Sequence, residues 1–163
     1  MTEDPRPLHV QRGINTVKRV VAFLNGLHCV GQEKWHETCK IDSGTNYDPD
    51  LEVWLDFQHY GVEVKGLQVS WTRYYDATQH VGRMSMLKAQ WDHLKQWCKK
   101  HNATPIVIVE LKTKCQRVPF LYYLLNSNAM QEFHKFSNPQ SVWFNVSVWE
   151  IIQYGQPLGD VDP

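Results

Sequence analysis

No stretch of this 163-residue chain is long and apolar enough to span a bilayer, and Met1 to Pro7 lack the basic-then-apolar order of a signal peptide. Cysteine is scarce. Cys29, Cys39, Cys98 and Cys115 show no Cys-x-x-Cys spacing, which argues against a disulfide framework and predicts reduced thiols in a soluble, intracellular (cytoplasmic) protein. His28, Cys29, His36 and Cys39 match no common zinc spacing, so they are read as buried thiols and surface imidazoles. An excess of either charge is also missing: 17 basic residues balance 17 acidic ones, so no global positive field draws the chain to nucleic acid. Repeats and low-complexity segments are absent. One local absence matters later: Ile14 to Asn25 contains no Asp or Glu.

What is present suffices for one folded domain, residues 1–163, because 42% apolar content at this length can bury a core. Six acids fall between Asp42 and Glu63, whereas Lys88, Lys95, Lys99, Lys100, Lys112, Lys114 and Arg117 come later. That separation leaves room for a basic channel around an acidic centre.

The centre lies in residues 48–66. Leu51 to Phe57 and Val62 to Leu67 alternate as two strands around the connection Gln58-His59-Tyr60-Gly61. Leu51, Val53, Leu55 and Phe57 share one face, which Val62 and Val64 can join. Asp50, Glu52, Asp56, Glu63 and Lys65 lie on the other. Two carboxylates from adjacent strands suit a hard divalent cation, which prefers oxygen ligands and retains water. A lysine two residues beyond the second acid shares its face and can steady negative charge developing on a phosphate. Asp50, Glu63 and Lys65 therefore read as a phosphodiester-cleaving triad.

Pro49-Asp50 followed by Glu63-Val64-Lys65 resembles the PD-(D/E)XK nuclease superfamily. The surrounding order of helix, hairpin, helix and apolar strand over roughly residues 12–126 is similar to the RecU-like Holliday-junction resolvases and to compact homing and restriction-type endonucleases. The resemblance implies an α/β, restriction-endonuclease-like fold with a mixed central sheet flanked by helices. It implies a metal-dependent DNA endonuclease using Mg²⁺, with Mn²⁺ a plausible substitute, and a homodimer acting on DNA. Branched four-way junctions are the favoured substrate; site-specific duplex cleavage and a non-catalytic nucleic-acid-binding module are the alternatives. Asp50 and Glu63 would hold the metal, and Gln90 on the following helix would join Lys65 at the site. The superfamily's first-helix acid has no counterpart in Ile14–Asn25, leaving Asn15, Glu33 or Glu37 as substitutes. In the simplest hairpin Phe57 faces Val62, which puts Asp56 opposite Glu63 and Asp50 roughly 14 Å from the position opposite Lys65. Asp50 then needs another register, a bulge or a bend.

Elsewhere, residues 1–12 read as an arm and Gly13–Asn25 as a helix stopped by Asn25-Gly26. His28 to Ile41 reads as a strand or an irregular edge and Asp42–Asn46 as a loop. Gly66 to Arg83 is a long aromatic excursion whose Arg73 and Arg83 could hold phosphates. Ser85 is placed as the cap of a helix to Lys100, with Leu87, Trp91, Leu94 and Cys98 as its buried stripe and Lys88 near a substrate phosphate. Ile106–Leu111 is a strand covered on both faces. Glu110 and Lys112 end it, as an ion pair or at the cleft. Lys114 and Arg117 lie on a basic loop. Phe120–Leu125 reads as a strand or an edge segment, Ala129–Phe136 as a helix and Val142–Val148 as a weak strand. Ser147 is placed as the cap of a final helical turn that Gly155 ends, and residues 157–163 as a loose tail.

Overall fold

The computed structural model describes residues 5–29, 35–36, 48–55, 57–69, 83–116 and 118–159. Within them, α1 spans Leu8–Cys29 and buries Val17, Val20 and Leu24 along one stripe. The helix starts five residues earlier than the sequence suggests, where the Pro7 carbonyl accepts the Val10 and Gln11 amides. It also runs through Asn25-Gly26. A Cβ at Gly26 would meet nothing, so that glycine serves no close approach. Its cost of about 1 kcal/mol is too small to end a helix anchored by packing.

Two short strands, β1 (Trp35–His36) and β2 (Leu51–Leu55), lead to the longest strand, β3 (Gln58–Gln68). After them come β4 (Arg83–Leu87), α2 (Lys88–His101), β5 (Thr104–Lys112) and β6 (Phe120–Leu125). The chain closes with α3 (Ser127–Phe136), β7 (Trp143–Ser147), α4 (Val148–Tyr154) and β8 (Gln156–Leu158). The main sheet has the order β1-β2-β3-β5-β6-β8, antiparallel except for the parallel pair β3–β5. The crossover joining that pair carries α2, as a parallel connection requires. A separate two-stranded sheet pairs β4 with β7.

Side-chain alternation divides the core into two layers. Leu51, Val53, Val62, Val64, Ile106 and Ile108 face α1. Val107, Val109, Leu111, Leu121, Tyr123 and Leu125 face the opposite way, against α2, α3, α4 and the small sheet. Trp91, Leu94, Trp97 and Cys98 are the buried stripe of α2, each large apolar side chain contributing about 2 kcal/mol on burial. Close approach of this helix to β3 depends on Gly61, where a Cβ would lie 2.6 Å from the Cys98 sulfur.

Several expectations change. The hairpin register is Leu51↔Val62 through Leu55↔Gln58, so Phe57 does not face Val62. Gln58, His59, Tyr60 and Gly61 belong to β3, and Leu55↔Gln58 is the last rung before the connection. Phe57 leaves the apolar face altogether: it is fully exposed at φ 66°. A two-residue hairpin turn demands left-handed backbone, and that requirement overrides the alternation begun by Leu51 and Val53. Ser85 is a β4 residue and caps nothing; Leu87 occupies the N-cap of α2. The expected tail contributes Pro157 and Leu158 to β8, which pairs with Tyr122–Leu124. By contrast, Ser147 does cap α4 by accepting the Glu150 amide, and Gly155 ends that helix.

Candidate functional site

A two-residue turn sets the geometry of the site. With Leu51 opposite Val62, continuing the antiparallel register brings Asp50 across from Glu63. The distance that a longer loop would impose disappears, with no bulge needed. Pro49 precedes Asp50 and has no amide to offer the next rung of the ladder. In its place, the Asp50 Oδ2 accepts the Val64 amide at 2.8 Å. The acid is thereby fixed to β3 by its own side chain.

Glu63 and Lys65 leave β3 on the face that α2 covers, opposite Val62 and Val64. Lys65 Nζ lies 3.1 Å from Glu63 Oε1 and donates to Gln90 Oε1 at 3.2 Å. Gln90 Nε2 in turn lies 3.4 Å from Glu63 Oε1. Gln90 is the third residue of α2, and its Oε1 also accepts the Leu87 amide at 3.2 Å. That bond satisfies one N-terminal donor of a helix whose cap residue has no polar side chain. A single amide thus ties the helix start, the lysine and the acid together.

The electrostatics follow from burial of like charges. Burial pushes the Asp50 carboxyl above its ordinary range, against the opposing pull of the Val64 amide and Lys65. Burial, followed by the charge of Asp50, pushes Glu63 up to about 7 despite Lys65. The two carboxyls are within hydrogen-bonding reach of each other, and both are raised. Such a pair is relieved by losing a charge or gaining a cation. Its donors are all oxygen, but it is a pair only: among the described residues no group of three or more His, Cys, Asp or Glu is placed to hold a metal ion. The donor set therefore fits a hard cation such as Mg²⁺, bound through few protein oxygens with water completing its shell.

Comparison with known proteins adds the fold. The structure is similar to that of Hjc, a Holliday junction resolvase of the archaeal hyperthermophile Archaeoglobus fulgidus, with a TM-score of 0.58 over 90% of this chain and 92% of that one. The fold is restriction-endonuclease-like. Sequence identity in that comparison is 10%. No protein-family model and no curated protein sequence matches the chain. Within this fold Asp50, Glu63, Lys65 and Gln90 lie together where β2 begins beside β3.

The other residues singled out from sequence are dispersed. Arg83 is exposed at the start of β4, and Lys114 is exposed beyond β5. Lys88 turns away from the carboxylates and donates to the Asn138 carbonyl at 3.0 Å. Arg73 and Arg117 lie outside the described residues, as do Glu33, Glu37 and Asp56. Asn15 lies on α1, which packs on the face of the sheet opposite Glu63; there it lines a depression with Gly66 and Gln68.

Two polar clusters escaped the sequence reading. Glu110, 2% exposed, receives Arg19 through both oxygens (2.9 and 2.8 Å) and the Tyr122 hydroxyl at 3.0 Å. The ion pair expected for Glu110 exists, but its partner is Arg19, 91 positions away. At the far end of β3, Trp54 stacks on His59 with ring centroids 4.3 Å apart, and His59 Nε2 lies 3.3 Å from Glu52. Only the β2–β3 register could have revealed this second cluster, since Trp54 and His59 are direct partners.

Proposed function

We propose that this chain is a single-domain, divalent-metal-dependent DNA endonuclease that hydrolyses phosphodiester bonds, with branched four-way-junction DNA as its substrate. The observation that carries the proposal is the meeting of two facing carboxyls, one ammonium and one amide within hydrogen-bonding distances at the end of a hairpin. Asp50 and Glu63 would hold Mg²⁺, with Mn²⁺ as a substitute. When bound, the cation would supply Lewis-acid stabilisation of charge on the phosphoryl group. Lys65, released from Glu63 once the carboxylates have another counter-charge, would place its ammonium beside the scissile phosphate as negative charge develops. Gln90 would hold Lys65 and Glu63 in register from a helix end that packs firmly on the sheet.

Resolvase activity belongs to the Archaeoglobus protein of the same fold, and that parallel favours branched over linear DNA here. Two strands must be cut at a junction, so we propose a homodimer working inside the cell. Exposed Phe136, Val142 and Trp143 provide apolar surface for such a contact.

The test incubates end-labelled four-way junction, linear duplex and single-stranded DNA with the protein in Mg²⁺ or in EDTA. The expected result is metal-dependent nicking, strongest on the junction, that Glu63→Ala abolishes. Preference for the duplex would assign site-specific duplex cleavage. Binding without cleavage, indifferent to Lys65→Ala, would leave a non-catalytic module. Equal cleavage by wild type and Glu63→Ala would overturn the assignment.

A further inference from the structure

On the opposite face of the sheet, α1 and the C-terminal ends of β3 and β5 enclose an open cavity of about 570 Å³. Arg12, Asn15, Arg19, Gln68 and Lys112 are among its walls, with Glu110 at its floor. Local rules explain the gathering. Arg12, Asn15 and Arg19 follow helical spacing on α1, whereas Gln68 and Lys112 are direct partners across the parallel β3–β5 pair, as are Gly66 and Glu110. Gly66 lets the helix come close: a Cβ there would lie 3.0 Å from the Thr16 hydroxyl oxygen.

Charge in this cavity is unbalanced. The single acid is already neutralised, since Arg19 grips Glu110 bidentately and Tyr122 donates to it. Arg12 and Lys112 are both exposed, and neither has a carboxylate partner among the described residues. Two uncompensated cations, with the neutral amides of Asn15 and Gln68 beside them, form a receptor for an anion with several acceptor oxygens. The walls named here are polar, and the position outside the carboxyl ends of parallel strands is where open α/β sheets take ligands. Lys65 and Gln68 are three residues apart on β3, roughly 10 Å along the strand, and project from opposite faces of it.

We propose that this cavity receives a backbone phosphate of the nucleic-acid substrate, held by Arg12 and Lys112, and so fixes the strand's path past the β3 end. The identity of the anion rests on the nuclease reading above; the existence of an anion receptor does not.

Fluorescence anisotropy of labelled four-way junction and duplex DNA in EDTA, over a salt series, separates the two. An Arg12→Gln/Lys112→Gln double variant should bind about tenfold more weakly at low salt. Its log affinity against log salt should be shallower by about 1, for the one phosphate no longer neutralised. Both side chains are exposed, so the thermal unfolding midpoint should not move; Arg12→Ala/Lys112→Ala, at the same positions, serves as a second variant. In Mg²⁺ the loss should fall on KM more than on kcat. Weakened binding with a shallower slope supports the receptor even if the wild type never cleaves, which would sink the nuclease reading alone. Unchanged slope and affinity beside intact nicking would overturn the receptor and leave the nuclease. A wild type that binds no DNA would overturn it as well.

Discussion

Replacing Glu63 by glutamine should make the metal-free protein more stable above neutral pH and leave it unchanged in acid. Glu63 is held against Asp50 under burial that lifts its carboxyl from an ordinary 4.5 to about 7. Between those values the folded chain binds more protons here than the unfolded chain, so stability falls as pH rises. The contribution is fully present below about pH 4.5 and is lost as pH climbs through about 7. At about 1.4 kcal/mol per pH unit, ionising Glu63 in place costs roughly 3 kcal/mol. Asp50, also raised, acts in the same direction. Glutamine keeps the shape and carries no charge, so it escapes that cost. In a chain of this size, 3 kcal/mol corresponds to a midpoint shift of roughly 6–12 °C. The assay is thermal unfolding followed by circular dichroism from pH 5 to pH 9 in EDTA. The two proteins should melt together at pH 5 and diverge above pH 7, with Glu63→Gln the more stable; added Mg²⁺ should raise the midpoint of the wild type only. A glutamine variant that is less stable than wild type at pH 8, or equal to it across the range, would refute the claim that burial, with the Asp50 charge beside it, disfavours an ionised Glu63.

Two further substitutions probe the frame around the site. Phe57→Gly should stabilise the fold by about 1 kcal/mol, because an exposed phenylalanine at φ 66° bears a left-handed backbone cost and loses no packing when removed; chemical denaturation gives the difference directly. Arg19→Met should destabilise by about 3 kcal/mol at neutral pH, since it strands the buried Glu110 charge beneath α1. The same denaturation series measures it, and a loss below 1 kcal/mol would mean that Tyr122 alone satisfies Glu110.

The members of the candidate site could be picked out of the chain because the choice depends on residue type and short spacing. Glu63-Val64-Lys65 places acid and base on one face of any strand, and the apolar runs of β5 and β6 announced themselves. What misled was register. Gln58-His59-Tyr60-Gly61 has the composition of a loop, yet Gly61 is there to admit Cys98 and Trp97 from α2, a long-range demand that no local pattern carries. The same slip hid Trp54 against His59 and placed Asp50 far from Glu63. Gln90 could be named as a site residue, but its second duty at the start of α2 could not. That duty follows from the cap falling on Leu87 rather than Ser85, where the β4–β7 sheet positions the chain.

The unequal lengths of the hairpin strands have one more consequence. β2 has five residues and β3 has eleven, and among the described residues their pairing stops at Leu51↔Val62. The sheet is therefore terraced, and Glu63 and Lys65 stand on the lip of the terrace, 12% and 20% exposed. Ions and protons can arrive over the lip without any strand parting. A cation held there as proposed would accordingly exchange quickly, even though the Val64 amide beneath it, clamped by Asp50, should yield its hydrogen to solvent slowly.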